Sequence, residues 1–322
     1  MTMQFSRGLI AGELKIFEQK FAQSVKSNTP LLDRIMKYII KRKGKQLRPM
    51  FVFLSAKLHG TVNESTYRAA ALVELLHTAT LVHDDVVDES LERRGFFSIN
   101  ALWKNKIAVL VGDYLLSKGL LLSTEAGDFE HLQILSEAVK QMSEGELLQI
   151  EKSRKLNMKE DTYFEIIKGK TASLLSSACG VGAWSTSKNE IITAKMKSFG
   201  EKTGIAFQIK DDLFDYGHDD VGKPTGNDLK EKKLTLPLIY TLNSITPAER
   251  RKIIYILKNE NKDSSKIKYV LEKVTEAGGI KYANEKMTKY RDEALTILYE
   301  FPQSDIRKGL EELVIYTTDR KY

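Results

Sequence analysis

The stretch ESTYRAAALVELLHTATLVHDDVVDE, residues 64–89, decides how this chain folds, because it joins a long apolar pattern to a cluster of aspartates. Apolar side chains recur at intervals of three and four residues, as at Leu72, Leu75, Leu76 and Ala79, which is the spacing of one helix face. The stretch contains the pattern Asp-Asp-x-x-Asp, whose first and third aspartates are four residues apart. It therefore predicts a buried helix that carries three carboxylates on nearly one side at its C-terminal end.

The same acidic pattern occurs a second time, within the stretch KDDLFD at residues 210–215. Like charges on one side of a helix repel one another, so each cluster is expected to bind a cation. Carboxylate oxygens suit Mg²⁺, which shares its other positions with water and substrate phosphates. Two such clusters facing each other across a cavity would hold a diphosphate through several Mg²⁺ ions. The six candidate ligands are Asp84, Asp85, Asp88, Asp211, Asp212 and Asp215.

The rest of the chain also shows helical spacing, and no Asn-Gly or Asp-Gly hairpin with alternating flanks occurs. We expect an all-α fold in a single domain, residues 1–322, with a second long helix near 189–217 that carries the second acidic cluster. The segments 106–125, 128–152 and 160–183 are apolar on most faces, so they are expected inside a helical bundle.

Two further patterns concern the C-terminal third. Thr246-Pro247-Ala248-Glu249 is typical of a helix start, with threonine as the N-cap and proline at the first helical position. The segments beyond it are amphipathic and rich in lysine, which indicates helices at the periphery. Residues 217–233 are polar and contain glycines, so we expect a long loop with a functional role.

Composition narrows the class of protein. The net charge is +7, but the lysines are interleaved with glutamates, so no nucleic-acid binding is expected. No run of about 18 uncharged apolar residues occurs, so no transmembrane helix is expected, and the N-terminus has no signal-peptide pattern. The one cysteine, Cys179, cannot form an intrachain disulfide, which favours a cytoplasmic location.

Basic and amide side chains lie near both acidic clusters in the sequence. A turn rich in lysine, residues 43–49, precedes the first cluster, and His77 lies two helical turns before that cluster. Gln208 lies about one turn before the second cluster, and residues 222–233 supply several lysines after it. Each feature alone is typical of a solvated surface or a core histidine. Together with the aspartates they indicate a site for phosphate groups, which arginine and lysine bind well.

Taken in order, these motifs resemble those of the trans-isoprenyl diphosphate synthases, the polyprenyl synthetase family, over about residues 40–240. Two departures are mild. Phe214 stands where the family commonly has leucine, and Lys233 follows Lys232 where a glycine is common, and neither position is a presumed metal ligand. The motifs that carry the resemblance are 44–49, 77–88 followed by Arg93 and Arg94, 145–149, 169–171, 208–215, and 222–223 with 233–237.

The resemblance implies a large all-α bundle of the isoprenoid synthase type around a central substrate cavity, acting as a homodimer. The six aspartates would bind about three Mg²⁺ ions together with the diphosphate of an allylic substrate. Direct contacts with that diphosphate are implied for Arg93, Lys170, Lys223 and Lys233. The diphosphate of the second substrate, isopentenyl diphosphate, would contact Lys45, Arg48, His77 and Arg94. The allylic cation would face Lys170, Thr171 and Gln208, and the departing diphosphate would remove the proton.

The residues before the first cluster bear on the length of the product. Counting back by fours from Asp84 gives Thr80 and Leu76, with Ala79 beside Thr80. In short-chain members of the family bulky residues commonly occupy this level, whereas Ala79 and Thr80 are small. Since one helical turn of about 5.4 Å is comparable to one isoprene unit, we expect a long product of about seven to ten units, as for a quinone side chain. The alternative is that both residues are simply close-packed against another helix.

Other functions stay open at this point. A farnesyl or geranylgeranyl diphosphate synthase would fit if the cavity were closed at a deeper level. A terpene cyclase or a head-to-head condensing enzyme shares the fold, but the doubled aspartate motif and the basic residues argue against it. A non-catalytic subunit of a heteromeric synthase would be expected to lack aspartates, and all six are present. A peripheral membrane contact for release of the product is a further expectation.

Overall fold

The structure, a computed structural model, describes residues 3–41, 44–93, 95–156, 158–217 and 226–320. Within these residues the chain forms sixteen α-helices, one π-helical turn (Lys168–Ala172) and an antiparallel ribbon of two short strands, β1 (Glu92–Arg93) and β2 (Phe96–Phe97). The helices are α1 (Gln4–Leu9), α2 (Ala11–Ser24), α3 (Pro30–Ile40), α4 (Leu47–His59), α5 (Glu64–Val87), α6 (Ile99–Thr124), α7 (Phe129–Lys155), α8 (Glu160–Ile167), α9 (Ser173–Ser187), α10 (Glu190–Phe214), α11 (Asn227–Lys230), α12 (Leu236–Ser244), α13 (Pro247–Asn259), α14 (Ser264–Glu276), α15 (Gly279–Tyr299) and α16 (Asp305–Asp319).

The prediction of an all-α fold is confirmed, and the two long helices α5 and α10 carry the acidic clusters. Their N-termini are capped by the side chains of Asn63 and Asn189, each of which accepts a hydrogen bond from a backbone amide three residues on. Both helices end at the third aspartate of their cluster, because Asp88 and Asp215 are the C-cap residues. Each cluster therefore lies at the negative end of a helix dipole, where a bound cation is favourable.

Close approaches at glycines hold these two helices in place next to the clusters. A Cβ atom at Gly112 of α6 would lie 2.1 Å from Nε2 of His83, so only glycine leaves room for that ring. The same Nε2 lies 3.2 Å from the carbonyl oxygen of Val109. A Cβ atom at Gly204 of α10 would lie 2.6 Å from the Cα of Ala172. Helix α5 thus packs closely against α6 just before the first cluster, and α10 packs closely against the π-helical turn before the second cluster.

The C-terminal helices are not peripheral, and that prediction was wrong for α15 and α16. Ala294 and Leu298 of α15, and Leu310 and Leu313 of α16, are fully buried and belong to the central apolar core with residues of α4, α5 and α9. An amphipathic helix exposes its lysines on one face while its apolar stripe is buried on the other, so composition alone did not reveal the packing. Because α16 lies against the bundle, its end can reach the central cavity.

Other boundaries differ from the prediction in detail. Helix α6 begins at Ile99 and is kinked at Lys104, whose φ is 72°. The predicted segment 160–183 is divided into α8, the π-helical turn and α9. The predicted start of α13 is confirmed, since Thr246 Oγ1 accepts a hydrogen bond from the Glu249 amide at 3.3 Å. Of the expected loop 217–233, residues 218–225 lie outside the described residues and residues 227–230 form α11.

Helix α6 is apolar on an exposed face. It is the only helix in the described part of the chain that is long and apolar enough to cross a membrane, although Asp113 and Lys118 interrupt its sequence. A core helix passes the same test, and α6 does pack along α5. Its outer side chains are nonetheless exposed. They are Leu102, Val109, Leu110, Leu120 and Leu121, and we call them the α6 face.

Candidate active site

A cavity of about 810 Å³ lies between α7, α8, the π-helical turn, α10 and the segment around α11. It is lined by seven of the residues predicted to act in the site: Lys170, Thr171, Gln208, Asp211, Asp212, Asp215 and Lys233. Residues that sequence analysis missed also line it, among them Glu92, Tyr163, Asp228, Glu231 and Arg320. The described lining therefore combines both charge signs around the second acidic cluster.

The π-helical turn presents Lys170 and Thr171 to this cavity. Such turns are rare and occur mostly at functional sites. The turn packs closely on α7, since a Cβ atom at Gly169 would lie 2.7 Å from the carbonyl oxygen of Gln141. The Lys170 ammonium forms an ion pair with Glu146 of α7. The turn therefore fixes a lysine and a hydroxyl at the cavity wall, and Glu146 orients the lysine.

Asp212 is the most buried aspartate of the second cluster. Its Oδ1 accepts a hydrogen bond from Gln208 Nε2 at 2.8 Å, and its Oδ2 accepts one from the Tyr163 hydroxyl at 2.6 Å. Burial raises the pKa of Asp212 to about 7, although the hydrogen bonds from Tyr163 and Gln208 act to lower it. Gln208 in turn accepts a hydrogen bond from the Thr171 hydroxyl at 2.7 Å. A continuous hydrogen-bonded chain thus runs from the π-helical turn to α8 through the second cluster.

Asp215 organises the segment that follows α10. Its two carboxylate oxygens accept hydrogen bonds from the amides of Asn227 and Asp228, at 2.8 and 3.1 Å, and so hold the start of α11. Burial raises the pKa of Asp215, and these backbone hydrogen bonds oppose the increase. The carboxylate therefore anchors the short helix that precedes Lys233.

Lys233 follows α11 and lies among acidic side chains of the same segment. Its Nζ lies 2.6 Å from Glu231 and 3.9 Å from Asp228. Burial acts to lower its pKa, but the hydrogen bond with Glu231 and the charges of Asp228, Glu231 and Asp88 raise the pKa above its usual value. Asp88 belongs to the first cluster, so the charge of that cluster reaches Lys233. None of the three aspartates of the first cluster lines the cavity, and the expected placement of the two clusters on opposite sides of it stays a prediction.

Arg320, at the end of α16, binds Asp211 and was missed by sequence analysis. Its Nη2 donates a hydrogen bond to Asp211 Oδ1 at 2.5 Å, and its guanidinium stacks on the rings of Phe207 and Phe214 at 3.9 and 5.4 Å. The two charged residues are 109 positions apart, so no local pattern could indicate the contact. Phe214, the departure from the family's leucine, has become part of the platform for this arginine.

The first cluster lies at the junction of α5 and α6. Asp85 is buried, Asp84 is half-buried and Asp88 is exposed. The backbone carbonyl of Asp85 accepts a hydrogen bond from Asn100 Nδ2 at 3.0 Å, which fixes the end of α5 against the start of α6. The three carboxylates are thereby graded from the core to the solvent, with Asp88 nearest to Lys233.

The predicted residues for the second diphosphate are only partly placed. Lys45 and Arg48 lie at the start of α4, with Lys45 Nζ 5.5 Å from the centre of the Tyr316 ring, and His77 is half-buried on α5. These three residues do not line the 810 Å³ cavity. Arg94 lies outside the described residues. Of the residues predicted for the allylic diphosphate, Lys223 also lies outside them, and for Arg93 only the backbone, in β1, is described. The grouping of these cations therefore stays a prediction.

The predicted chain-length residues are packed. Ala79 is 0% exposed and lies in an apolar cluster with residues of α3 and α6, while Leu76 is buried in the central core. The Thr80 hydroxyl donates a hydrogen bond to the His77 carbonyl at 2.9 Å. None of these three residues lines the 810 Å³ cavity. A hydrocarbon chain that passed Ala79 would have to separate α5 from its neighbours.

The donor set fits Mg²⁺ as a partner of a diphosphate. Among the described residues, no group of three or more His, Cys, Asp or Glu side chains is close enough to hold a metal ion alone. Such a set is compatible with Mg²⁺, because this ion usually takes one or two carboxylates and completes its shell with water and substrate phosphates. The Arg320 guanidinium forms an ion pair with Asp211, which shows that this carboxylate accepts a positive partner.

Comparison with known proteins agrees with this geometry. The profile of the family described as Polyprenyl synthetase matches residues 29–274. The octaprenyl diphosphate synthase of Escherichia coli (strain K12) is 33% identical over 315 residues, 96% of each protein. Heptaprenyl diphosphate synthase component 2 of Geobacillus stearothermophilus is 30% identical over 324 residues, 100% of each. The crystal structure of a decaprenyl diphosphate synthase from Rhodobacter capsulatus has a TM-score of 0.94 and 34% identity, with 100% of both chains covered.

Proposed function

Because the chain belongs to the polyprenyl synthetase family, we propose that it condenses isopentenyl diphosphate repeatedly onto an allylic diphosphate and makes a long all-trans polyprenyl diphosphate. The observation that carries this proposal is the pair of acidic helix ends, with Lys233 in the cavity that the second cluster lines and within reach of the charge of Asp88. Two carboxylate clusters with a lysine beside them suit a multiply charged leaving group bound through metal ions, which the carboxylates alone would repel.

The first chemical step is loss of the allylic diphosphate. Bound Mg²⁺, about three ions held by the six aspartates, would supply the positive charge that the leaving diphosphate needs. Lys170 and Lys233 line the same cavity, so their ammonium groups are available to the diphosphate oxygens as the C–O bond breaks. Arg93 and Lys223 are proposed to add to these contacts. Water is kept from the cation by the buried wall of α8 and α10.

The allylic cation is then attacked by the double bond of isopentenyl diphosphate. The Thr171 hydroxyl donates a hydrogen bond to Gln208, so the lone pairs of the hydroxyl oxygen remain available to the cavity. Those lone pairs place the negative end of a dipole near the cation. No protein base is needed, since the departed diphosphate can take the proton. Lys45, Arg48, His77 and Arg94 are proposed to hold the diphosphate of isopentenyl diphosphate.

Two observations support a long product. The relatives named above are octaprenyl, heptaprenyl and decaprenyl diphosphate synthases. Ala79 and Thr80 place no aromatic ring below the first cluster. A farnesyl or geranylgeranyl product is therefore less favoured. A non-catalytic role is also less favoured, since all six aspartates are present and those of the second cluster have specific partners.

We further propose a homodimer in the cytoplasm, with Cys179 buried and reduced. The α6 face, defined above, exposes five large apolar side chains on one helix, and a second copy of the chain would cover them. An assembly with a different subunit is the alternative, because one relative is named as component 2 of its synthase.

The test is a product assay with purified protein, farnesyl diphosphate, isopentenyl diphosphate and Mg²⁺. We expect products longer than geranylgeranyl diphosphate, and no products when a chelator removes the metal. A product that stops at twenty carbons, after one condensation, would contradict the long-chain proposal. Absence of any product from the pure chain, with activity restored by a second protein, would support the heteromeric alternative.

A further inference from the structure

Tyr163 is a buried residue outside the sequence motifs of the family, and its hydroxyl contacts a carboxylate of the site. It lies in the first turn of α8 and is 3% exposed, and its partner Asp212 is 6% exposed. The hydroxyl-to-Oδ2 distance of 2.6 Å is that of a strong hydrogen bond between a hydroxyl and a carboxylate. Because a buried carboxylate without donors would be costly, this contact holds Asp212 in the apolar wall.

The directions of the hydrogen bonds follow from the chemistry of the groups. In the ionised form that would bind a metal, the Asp212 carboxylate can only accept, so Tyr163 and Gln208 both donate to it, one to each oxygen. The Gln208 amide is oriented in the same way, because its oxygen accepts from the Thr171 hydroxyl. Two donors on two different oxygens fix the plane of the Asp212 carboxylate. One lone pair on each oxygen is left for another partner.

The three aspartates of the second cluster are therefore held differently. Asp215 is bound by backbone amides, Asp211 by the Arg320 guanidinium, and Asp212 by two neutral side chains from α8 and α10. The Asp211 side chain is 39% exposed. Asp212 is the buried member, and of its two donors only Tyr163 comes from another helix.

We propose that Tyr163 is a positioning residue for the metal–diphosphate centre, acting through the Asp212 carboxylate. This inference rests on the proposed function. Residues that hydrogen-bond a metal-binding carboxylate typically change metal affinity or activity by about 10- to 100-fold when they are removed. We expect Tyr163→Phe to weaken the binding of divalent metal with diphosphate by a factor in this range. The phenylalanine ring preserves the packing of α8, so the change is confined to one oxygen atom.

Tyr216 offers a matched control in the same apolar cluster. Its hydroxyl is also buried and lies 2.5 Å from Thr235 Oγ1, and it makes no hydrogen bond with an aspartate in the described residues. Tyr216→Phe therefore removes the same atom from the same kind of environment. A purely structural effect of losing a buried hydroxyl should appear equally in both variants.

The experiment measures Mn²⁺ binding by electron paramagnetic resonance, with inorganic diphosphate as the probe, together with thermal unfolding of the metal-free proteins. We expect the Mn²⁺ dissociation constant to rise about 10- to 100-fold in Tyr163→Phe and to stay within about twofold in Tyr216→Phe. In an Asp212→Asn background, Tyr163→Phe should have little further effect, since the residue acts through that carboxylate.

Equal shifts in the two tyrosine variants, or no shift in Tyr163→Phe, would overturn the inference. So would failure of Tyr163→Phe to fold while Tyr216→Phe folds, because Tyr163 would then serve the core. The same shift in the Asp212→Asn background would also exclude action through Asp212. If the wild-type protein binds no Mn²⁺ with diphosphate, the proposed function itself fails, which is a different result from these.

Discussion

The contact between Arg320 and Asp211 predicts that the last helix competes with metal for the second cluster. Substitution of Arg320 by glutamine removes the positive charge and keeps a polar side chain. The Arg320 side chain is 12% exposed and that of Asp211 is 39% exposed, so the pair is intermediate between buried and solvated. Exposed pairs contribute about 0.2–1 kcal/mol and charge-assisted hydrogen bonds about 1.5–3 kcal/mol. We take about 1 kcal/mol for this partly screened pair.

Stacking on Phe207 adds about 0.5–1 kcal/mol, so Arg320→Gln should lower the free energy of unfolding of the metal-free protein by about 1–2 kcal/mol. The effect on metal binding has the opposite sign. In the wild type, a metal ion at Asp211 must displace the guanidinium, and this cost disappears in the variant. Since 1.4 kcal/mol corresponds to a factor of ten, the Mn²⁺ dissociation constant without diphosphate should fall about fivefold.

Arg307→Gln is the matched control for this measurement. Arg307 lies on the same helix, stacks on Tyr299 at 5.4 Å and donates a hydrogen bond to the Phe301 carbonyl at 2.8 Å, far from the second cluster. It should lose a similar amount of stability without any change in Mn²⁺ affinity. Electron paramagnetic resonance and urea unfolding give the two quantities. Unchanged or weaker Mn²⁺ binding in Arg320→Gln would refute the competition.

Three further predictions concern other parts of the chain. Ala79→Phe should shorten the polyprenyl product, as measured by chromatography. Because Ala79 is 0% exposed, the larger ring should also lower the free energy of unfolding by about 1–3 kcal/mol through overpacking. An unchanged product length would show that the hydrocarbon takes another route. Thr171→Val keeps the shape of the side chain but removes the hydrogen-bond donor to Gln208, so kcat should fall about 2- to 12-fold while KM for isopentenyl diphosphate stays unchanged. Thr171→Ser keeps the hydroxyl and should keep the wild-type kcat. An equal loss of kcat in the serine variant would contradict the role of the hydroxyl. Burial lowers the pKa of His131 from 6.5 to about 4. As the pH falls, His131 therefore binds a proton in the unfolded chain before it does so in the folded chain, and stability is lost between about pH 6.5 and about pH 4. The loss should approach about 3 kcal/mol in urea unfolding, and His131→Leu should remove it; a variant with the wild-type pH dependence would assign the effect elsewhere.

The parts of the fold that could be predicted from sequence are those governed by neighbouring residues. Helices α5 and α10 were predicted because their apolar spacing acts within a few residues, and the asparagine caps that the structure shows are equally local. The start of α13 was predicted for the same reason, since its cap involves only Thr246 and Glu249. The positions of the six aspartates at two helix ends also follow from local pattern.

The parts that could not be predicted depend on contacts between distant segments. Tyr163 lies 49 positions from Asp212, and Arg320 lies 109 positions from Asp211. Neither residue belongs to a periodic pattern that differs from an ordinary helix. The π-helical turn was missed because the chain around Lys170 has ordinary helical spacing, although Gly145 and Gly169 mark the close approach of α7 to the turn.

Contacts between distant segments offset the repulsion among the clustered carboxylates. Two helices end in carboxylates at the negative end of their dipoles, an arrangement that is unfavourable without cations. The fold brings a basic side chain to each cluster from another segment, Lys233 toward Asp88 and Arg320 to Asp211. The clusters are therefore partly neutralised before any metal binds, which keeps the carboxylates in place while the cavity is empty. A preorganised site of this kind stabilises charge that develops in a reaction without having to rearrange. The segments that carry Lys233 and Arg320 are then as much a part of the site as the aspartates.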